Sequence, residues 1–365
     1  MDEPGPLEKE IRRRIAVAGP MPLDEYMALC LVDPTHGYYT TRDPLGIRGD
    51  FITAPEISQM FGELIGLWMI SVWKQMGAPP NVRIVELGPG RGTLMKDALR
   101  AAAVVPEFRN AIVVHLVEIS PALKAQQERT LEHLVFPVYW HPSLDDVPEG
   151  AAIVVANEFF DALPIKQAVK SFDGWRERLV GIDADGKLAF TAAAETMPQF
   201  EKLLPPKVRA APPGAIFEWR ADRAAIDLGR RIAKGGAALV VDYGHAESAV
   251  GDTLQAVGRH AYADPMTTPG DIDLTAHVDF QPLTRAMEAM GTKAYGPIEQ
   301  SAFLRRLGIE TRAATLKAKA TRAAAAEIDA ALARLIGHGR TGMGELFKAA
   351  AFAHHAVGVP PGFES

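Results

Sequence analysis

The feature that most constrains this chain is a short apolar run that ends in glycines. Val82-Arg83-Ile84-Val85-Glu86-Leu87 leads directly into Gly88-Pro89-Gly90-Arg91-Gly92, and Thr93 to Ala103 then reads as a helix. An apolar run of this length, bounded by glycines, is the pattern of a buried strand. The glycines admit positive φ and a close backbone approach, and the helix start turns free N–H groups toward whatever lies above the loop. Strand, glycine turn and helix in this order belong to a parallel α/β sheet. The spacing is G-x-G-x-G, with Thr93 where a dinucleotide fingerprint would place its third small residue. Glu86 stands two residues before the first glycine and suits a cationic amino group better than a diphosphate. That disfavours a nicotinamide-dependent dehydrogenase. A tight strand-to-helix turn with no ligand stays open on the loop alone.

The alternation continues. Ile112 to Glu118 reads as a second strand and Pro121 to His133 as a helix with proline in its first turn. Phe136 to Trp140 is a third strand and Ala152 to Asn157 a fourth. The rhythm breaks from Lys166 to about Glu195, where Asp173-Gly174 and Asp185-Gly186 separate three short strand-like stretches, the pattern of an antiparallel β meander. It resumes with a helix near Ala221–Lys234, a strand over Ala237–Asp242, a helix from Gln281 to Met290 and a strand near Lys293–Ile298. An alanine-rich helix over Ala313–Ile336 and a closing strand over Leu346–Ala353 complete it. The first eighty residues read as helices over Pro4–Ala18, from Leu23, and over Ser58–Met76. The expected layout is a helical cap over 1–80 that closes the active site, followed by the ligand-binding α/β domain over 81–365. That domain carries the meander insertion at about 166–218 and a helical insertion at about 299–338.

Composition narrows the class. With 365 residues, 48% apolar and 23% charged, the chain has ample core material. A formal net charge of −6 argues against a general nucleic-acid binder. The single cysteine, Cys30, excludes an intrachain disulfide and reads as a buried small hydrophobe; the ten histidines form no ligand pattern, so no metal is expected. The longest apolar run, around Leu64 to Trp73, is too short to span a bilayer, and Trp68 and Trp73 read as core residues. An acidic start (Glu3, Glu8, Glu10) is unlike a signal or transit peptide, so the reading is a cytoplasmic protein.

Two further clusters carry chemistry. Glu118 ends the second strand, where an acid in a nucleoside-binding α/β fold accepts the ribose hydroxyls. Asn157-Glu158-Phe159-Phe160-Asp161-Ala162-Leu163-Pro164 follows the fourth strand, beyond the carboxyl edge where ligands of open sheets bind. Glu158 and Asp161, three apart, share one side if the segment turns helically.

These strings resemble the MidA-type family, the mitochondrial complex I assembly methyltransferases and their bacterial relatives. The resemblance rests on Glu86–Leu94, on Gly49-Asp50-Phe51-Ile52-Thr53-Ala54-Pro55-Glu56-Ile57-Ser58-Gln59-Met60-Phe61-Gly62-Glu63, on Val117–Pro121, on Ala156–Pro164 and on Asp273–Phe280. It implies a class I methyltransferase, a Rossmann-like, mostly parallel sheet with helices on both faces. It also implies S-adenosyl-L-methionine as cofactor, S-adenosyl-L-homocysteine as product, and a protein arginine as acceptor, in a complex I subunit or its bacterial counterpart. On that reading Glu86, Gly88, Pro89, Gly90, Gly92, Thr93, Glu118, Ile119 and Asn157 hold the cofactor, and Ser143 and Leu144 border its adenine. Glu158 and Asp161, with Asn157, form the catalytic group, because a carboxylate pair can grip a guanidinium bidentately and aim one nitrogen. Asp50, Thr53, Glu56 and Gln59 are expected to close the pocket, and Tyr243 and His245 to line its acceptor side. Arg312, Lys317, Lys319 and Arg322 read as a solvated helix face. A homodimer is left open. The competing reading is a non-catalytic assembly factor that binds the cofactor without using it.

Overall fold

The computed structural model describes residues 3–41, 53–258, 261–339 and 341–364. Its contacts divide the chain into two compact units: Ile52–Phe160, Asp222–Ala246 and Phe280–Ser365 in one, and Met1–Phe51, Asp161–Ala221 and Glu247–Asp279 in the other.

The first unit is built on seven strands: β1 (Val82–Leu87), β2 (Ile112–Val117), β3 (Val138–His141), β4 (Ala152–Asn157), β5 (Gly236–His245), β6 (Thr292–Glu299) and β7 (Phe347–His354), in the sheet order β6-β7-β5-β4-β1-β2-β3. Pairings among β1 to β5 are parallel, whereas β7 runs antiparallel to both β5 and β6. The central strands are apolar throughout because both faces are covered; all six residues of β4 are buried. The strand order reverses between β1 and β4, and it is beyond the carboxyl ends of strands at such a reversal that open α/β sheets bind ligands. The register brings those ends level, pairing Leu87 with Val117 and Asn157 with Val241.

Residues 54–75, read from the sequence as part of a separate cap, lie in this unit with the parallel sheet. Ser58 caps the helix Gln59–Gln75 by accepting the Met60 N–H. That helix buries Trp68 completely and packs on the helix Thr93–Ala102. Gly66 permits the contact, since a Cβ there would lie 2.3 Å from the Ala98 carbonyl oxygen.

Two expectations are corrected here. The alanine-rich stretch is two helices, Ile309–Lys317 and Arg322–Ile336, because Thr321 takes extended backbone and its hydroxyl caps the second by accepting from Ala324 N–H. Nor is Arg312 a solvated cation. Its guanidinium donates to both carboxylate oxygens of buried Glu63, at 2.8 and 2.9 Å.

The second unit holds the helices Pro6–Ala18 and Leu23–Val32, which bury Leu7, Ile11, Tyr26, Met27 and Cys30. Its main sheet has the order Met21–Pro22, Gly174–Ile182, Ile165–Ser171, Ile216–Arg220, all antiparallel, with Leu188–Ala192 also paired to Gly174–Ile182. A three-stranded antiparallel sheet joins Ala261–Ala263, Gln255–Gly258 and Asp273–Thr275. Burial pushes the Cys30 thiol up to about 12, which leaves it an unreactive core group. Among the described residues no helix is long and apolar enough to cross a membrane, and no three His, Cys, Asp or Glu side chains cluster as metal ligands would.

Candidate active site

At the carboxyl edge of β1 the glycine loop takes left-handed backbone at Gly88, Gly90 and Gly92 (φ 59°, 54° and 79°). Gly88 donates its N–H to Val117 O, and Gly92 donates to Pro89 O, which closes the turn into the helix Thr93–Ala102. A side chain at Gly88 would meet the Phe159 ring at 3.0 Å, so the loop and the segment after β4 touch there only because residue 88 has no Cβ. The Thr93 hydroxyl donates to the Glu56 carboxylate, which ties this loop to the short helix Ala54–Ile57. Gln59, the first residue of the next helix, accepts from Arg100. Asp50 lies outside the described residues. Thr53 precedes Ala54 with extended backbone and accepts the Glu56 and Ile57 N–H groups.

Two carboxylates stand at the ends of adjacent strands. Glu86 is 3% exposed, and its Oε2 has no hydrogen-bond partner among the described residues. Burial first, and the charge of Glu118 second, push its carboxyl up to about 8. Glu118 is also raised by burial, against which the Ser120 N–H and the Gln127 amide work by donating to its two oxygens at 2.8 and 3.0 Å. Ile119 is 54% exposed beside it. Ser143 donates to Asp146 at the start of the turn Leu144–Asp146, and Leu144 O accepts from Arg231.

Beyond β4, Glu158 is held at φ 50°, a left-handed conformation that costs a non-glycine residue about 1–3 kcal/mol. Its backbone N–H donates to Val241 O, and its carboxylate accepts from Ala54 N–H at 3.1 Å and from Asn157 Nδ2 at 3.2 Å. Asn157 Oδ1 is buried with no partner among the described residues. Fully buried Asp242 pins this turn by accepting the Phe160 N–H, while its other oxygen accepts the Tyr243 N–H. Tyr243 is buried against Phe347, and His245 ends the same strand half-buried.

Asp161 opens the second unit and is also buried. Its backbone carbonyl accepts from Ala276 N–H and from Arg220, whose guanidinium also donates to the carbonyls of Leu163, Ala276 and His277. Neither Gln127 nor Arg220 stood out in the sequence. Each is a single polar residue inside an ordinary helix or strand, and only the distant chain it meets reveals its work.

A family model of S-adenosyl-L-methionine-dependent methyltransferases matches residues 64–298. The chain is 40% identical over 333 residues to the mitochondrial protein arginine methyltransferase NDUFAF7 of Danio rerio, covering 83% of this chain and 77% of that protein. It is 38% identical to the Drosophila melanogaster homologue, covering 87% and 78%. A Burkholderia thailandensis protein solved with S-adenosyl-homocysteine bound superimposes with a TM-score of 0.84 at 29% identity, over 99% of this chain and 97% of that one. These relatives overturn the cytoplasmic expectation. The vertebrate and insect proteins are named as mitochondrial, so the acids near residues 3–10 do not assign a compartment.

The family uses S-adenosyl-L-methionine, and the residues at the sheet edge fit it. The unpartnered oxygen of Glu86 offers a buried negative end to an ammonium group, a glycine loop without side chains lies beside it, and Glu118 presents a carboxylate one strand away. Sheet order, site chemistry and sequence similarity across most of the chain agree: this chain belongs to the MidA-type family of S-adenosyl-L-methionine-dependent methyltransferases.

Proposed function

We propose that this protein methylates the guanidinium of an arginine in a protein substrate, and that the substrate is a subunit of respiratory complex I or its bacterial counterpart. The observation that carries the reading is that relatives aligned with 83% and 87% of this chain are named protein arginine methyltransferases. The chemistry of the first unit's sheet edge supports it. When bound, S-adenosyl-L-methionine supplies a methyl group activated by its sulfonium.

The protein's task is then alignment and charge. An arginine side chain is protonated at all working pH and its nitrogen lone pairs are delocalised, so it must be turned and held to act as a nucleophile. Glu158 is the residue for that work. A carboxylate held at the strand end by strained backbone and an N–H donor pairs with the guanidinium, fixes its plane and leaves one nitrogen presented for attack. The nitrogen that would accept the methyl group must give up a proton, for which the Glu158 carboxylate and, through it, solvent are the acceptors. Such near-attack placement accounts for about 7–11 kcal/mol of barrier lowering in well-oriented reactions. Asp161 is the second acid of the proposed clamp, with Asn157 steadying Glu158 through its amide. Glu86 takes the cofactor's ammonium, Glu118 its ribose, and Gly88, Pro89, Gly90, Gly92 and Thr93 its backbone-facing side. Ile119, Ser143 and Leu144 border the adenine. Asp50, Thr53, Glu56, Gln59, Tyr243 and His245 are proposed to shape the acceptor side.

The test is product analysis. Purified protein is incubated with methyl-labelled S-adenosyl-L-methionine and a respiratory-membrane extract, and the labelled protein is hydrolysed. Label recovered as methylarginine in one polypeptide is the expected result. Label on another amino acid overturns the arginine assignment. Intact cofactor binding with no transfer favours a binding-only role in assembly.

A further inference from the structure

The helix Pro121–Leu131 carries two consecutive glutamines, and the second is fully buried. Gln127 Nε2 donates to the Gly90 carbonyl at 2.7 Å and to Glu118 Oε2 at 3.0 Å, while Gln127 Oε1 accepts from the Trp140 indole at 2.8 Å. The arrangement reads in one sense only. An indole N–H can donate but not accept, so it must meet the amide oxygen. That turns both amide hydrogens toward the carbonyl and the carboxylate. A flipped amide would set oxygen against two acceptors and nitrogen against a donor. Every polar group of this side chain is therefore satisfied, and each of its three partners belongs to a different element: the glycine loop, the end of β2, and β3.

We propose that Gln127 is a positioning residue for the cofactor, clamping the Gly90 carbonyl and the Glu118 carboxylate at a fixed separation, with Trp140 locking the amide that does so. The inference rests on the reading that Glu118 meets the cofactor's ribose. Glu118 Oε1 is steadied by its own local turn through the Ser120 N–H; Oε2 depends on Gln127. Without the amide, the Gly90 carbonyl and Glu118 Oε2 lose the donor they share, so the carboxylate can rotate and the loop can drift.

The experiment titrates S-adenosyl-homocysteine by calorimetry into wild type, Gln127→Met, Glu118→Ala and the double variant, with thermal unfolding recorded for each. Met keeps the volume and removes the donors. The expected loss for Gln127→Met is about tenfold to a hundredfold in Kd, the effect of leaving buried polar groups unpaired. In the Glu118→Ala background the same change costs clearly less than it does in wild type, since the two residues share one interaction. Trp140→Phe, which removes only the indole donor, is expected to reproduce part of the loss and serves as the reporter if Gln127→Met does not fold. Wild-type affinity in Gln127→Met overturns the proposal, as do single-variant effects that multiply in the double variant. Under either result Glu118→Ala alone still reports on the cofactor reading. If wild type itself does not bind S-adenosyl-homocysteine, both fall.

Discussion

Glu86 and Glu118 close adjacent parallel strands, and the charge of Glu118 adds to burial in holding a proton on Glu86 at neutral pH. The pair has a consequence for stability. The Glu86 carboxyl lies at about 8 in the folded chain against 4.5 for a free one, so it takes up a proton on folding. Its contribution is present in full below about pH 4.5 and is lost as pH rises through about 8. Thermal unfolding of wild type should therefore weaken as pH rises from about 4.5 to about 8 and level off above that, and Glu86→Gln should flatten the loss. An unchanged slope in the variant would remove Glu86 as its source.

Ligand binding should report the same proton. An ammonium placed against Glu86 favours its charged form, so S-adenosyl-homocysteine binding at neutral pH should release close to one proton. Calorimetry in buffers of differing ionisation heat measures it. The release should vanish in Glu86→Gln; its persistence there would mean that the ligand's cation sits elsewhere.

Glu158→Gln keeps the side chain's size and removes its charge. Turnover should fall by about 10²-fold or more, while affinity for S-adenosyl-homocysteine stays near wild type. Asp161→Asn should behave alike. Near-normal transfer in both variants would defeat the clamp, and a parallel fall in cofactor affinity would move these residues to the cofactor pocket.

Gly88→Ala brings a methyl group against Phe159 at 3.0 Å and forces a positive φ of 59° on alanine. It should destabilise the fold by about 1–3 kcal/mol and weaken S-adenosyl-homocysteine binding. Denaturant unfolding and titration test the two effects separately. A stable variant with full affinity would show that the loop can shift without consequence.

Arg312→Ala leaves the buried Glu63 carboxylate without its bidentate partner. Breaking a fully buried pair costs about 3–5 kcal/mol, and because Arg312 is partly exposed the expected loss is about 2 kcal/mol. Adding Glu63→Gln should recover part of it. Additive losses in the double variant would mean the two residues do not act as a pair.

Much of this protein was legible in its sequence because the signals are local. The buried strand β1, its glycine turn and the following helix lie within about twenty residues, and apolar runs, glycines and caps determine such elements before any tertiary contact forms. The acids at strand ends followed from the same logic, since a parallel sheet must place its carboxyl ends on one edge. Tertiary structure alone decided which polar groups meet. Gln126 and Gln127 are indistinguishable as neighbours in the sequence; only docking of their helix buries one, beside a carbonyl 37 residues away. Arg312 finds Glu63 across 249 residues, so a charged position on an alanine-rich helix carried no sign of its partner. The break at Thr321 was written in a single hydroxyl that competes with helix continuation, a contest that periodicity does not register. Local hydrophobic pattern specifies the elements, and burial of the chain as a whole selects which of its polar groups must pair.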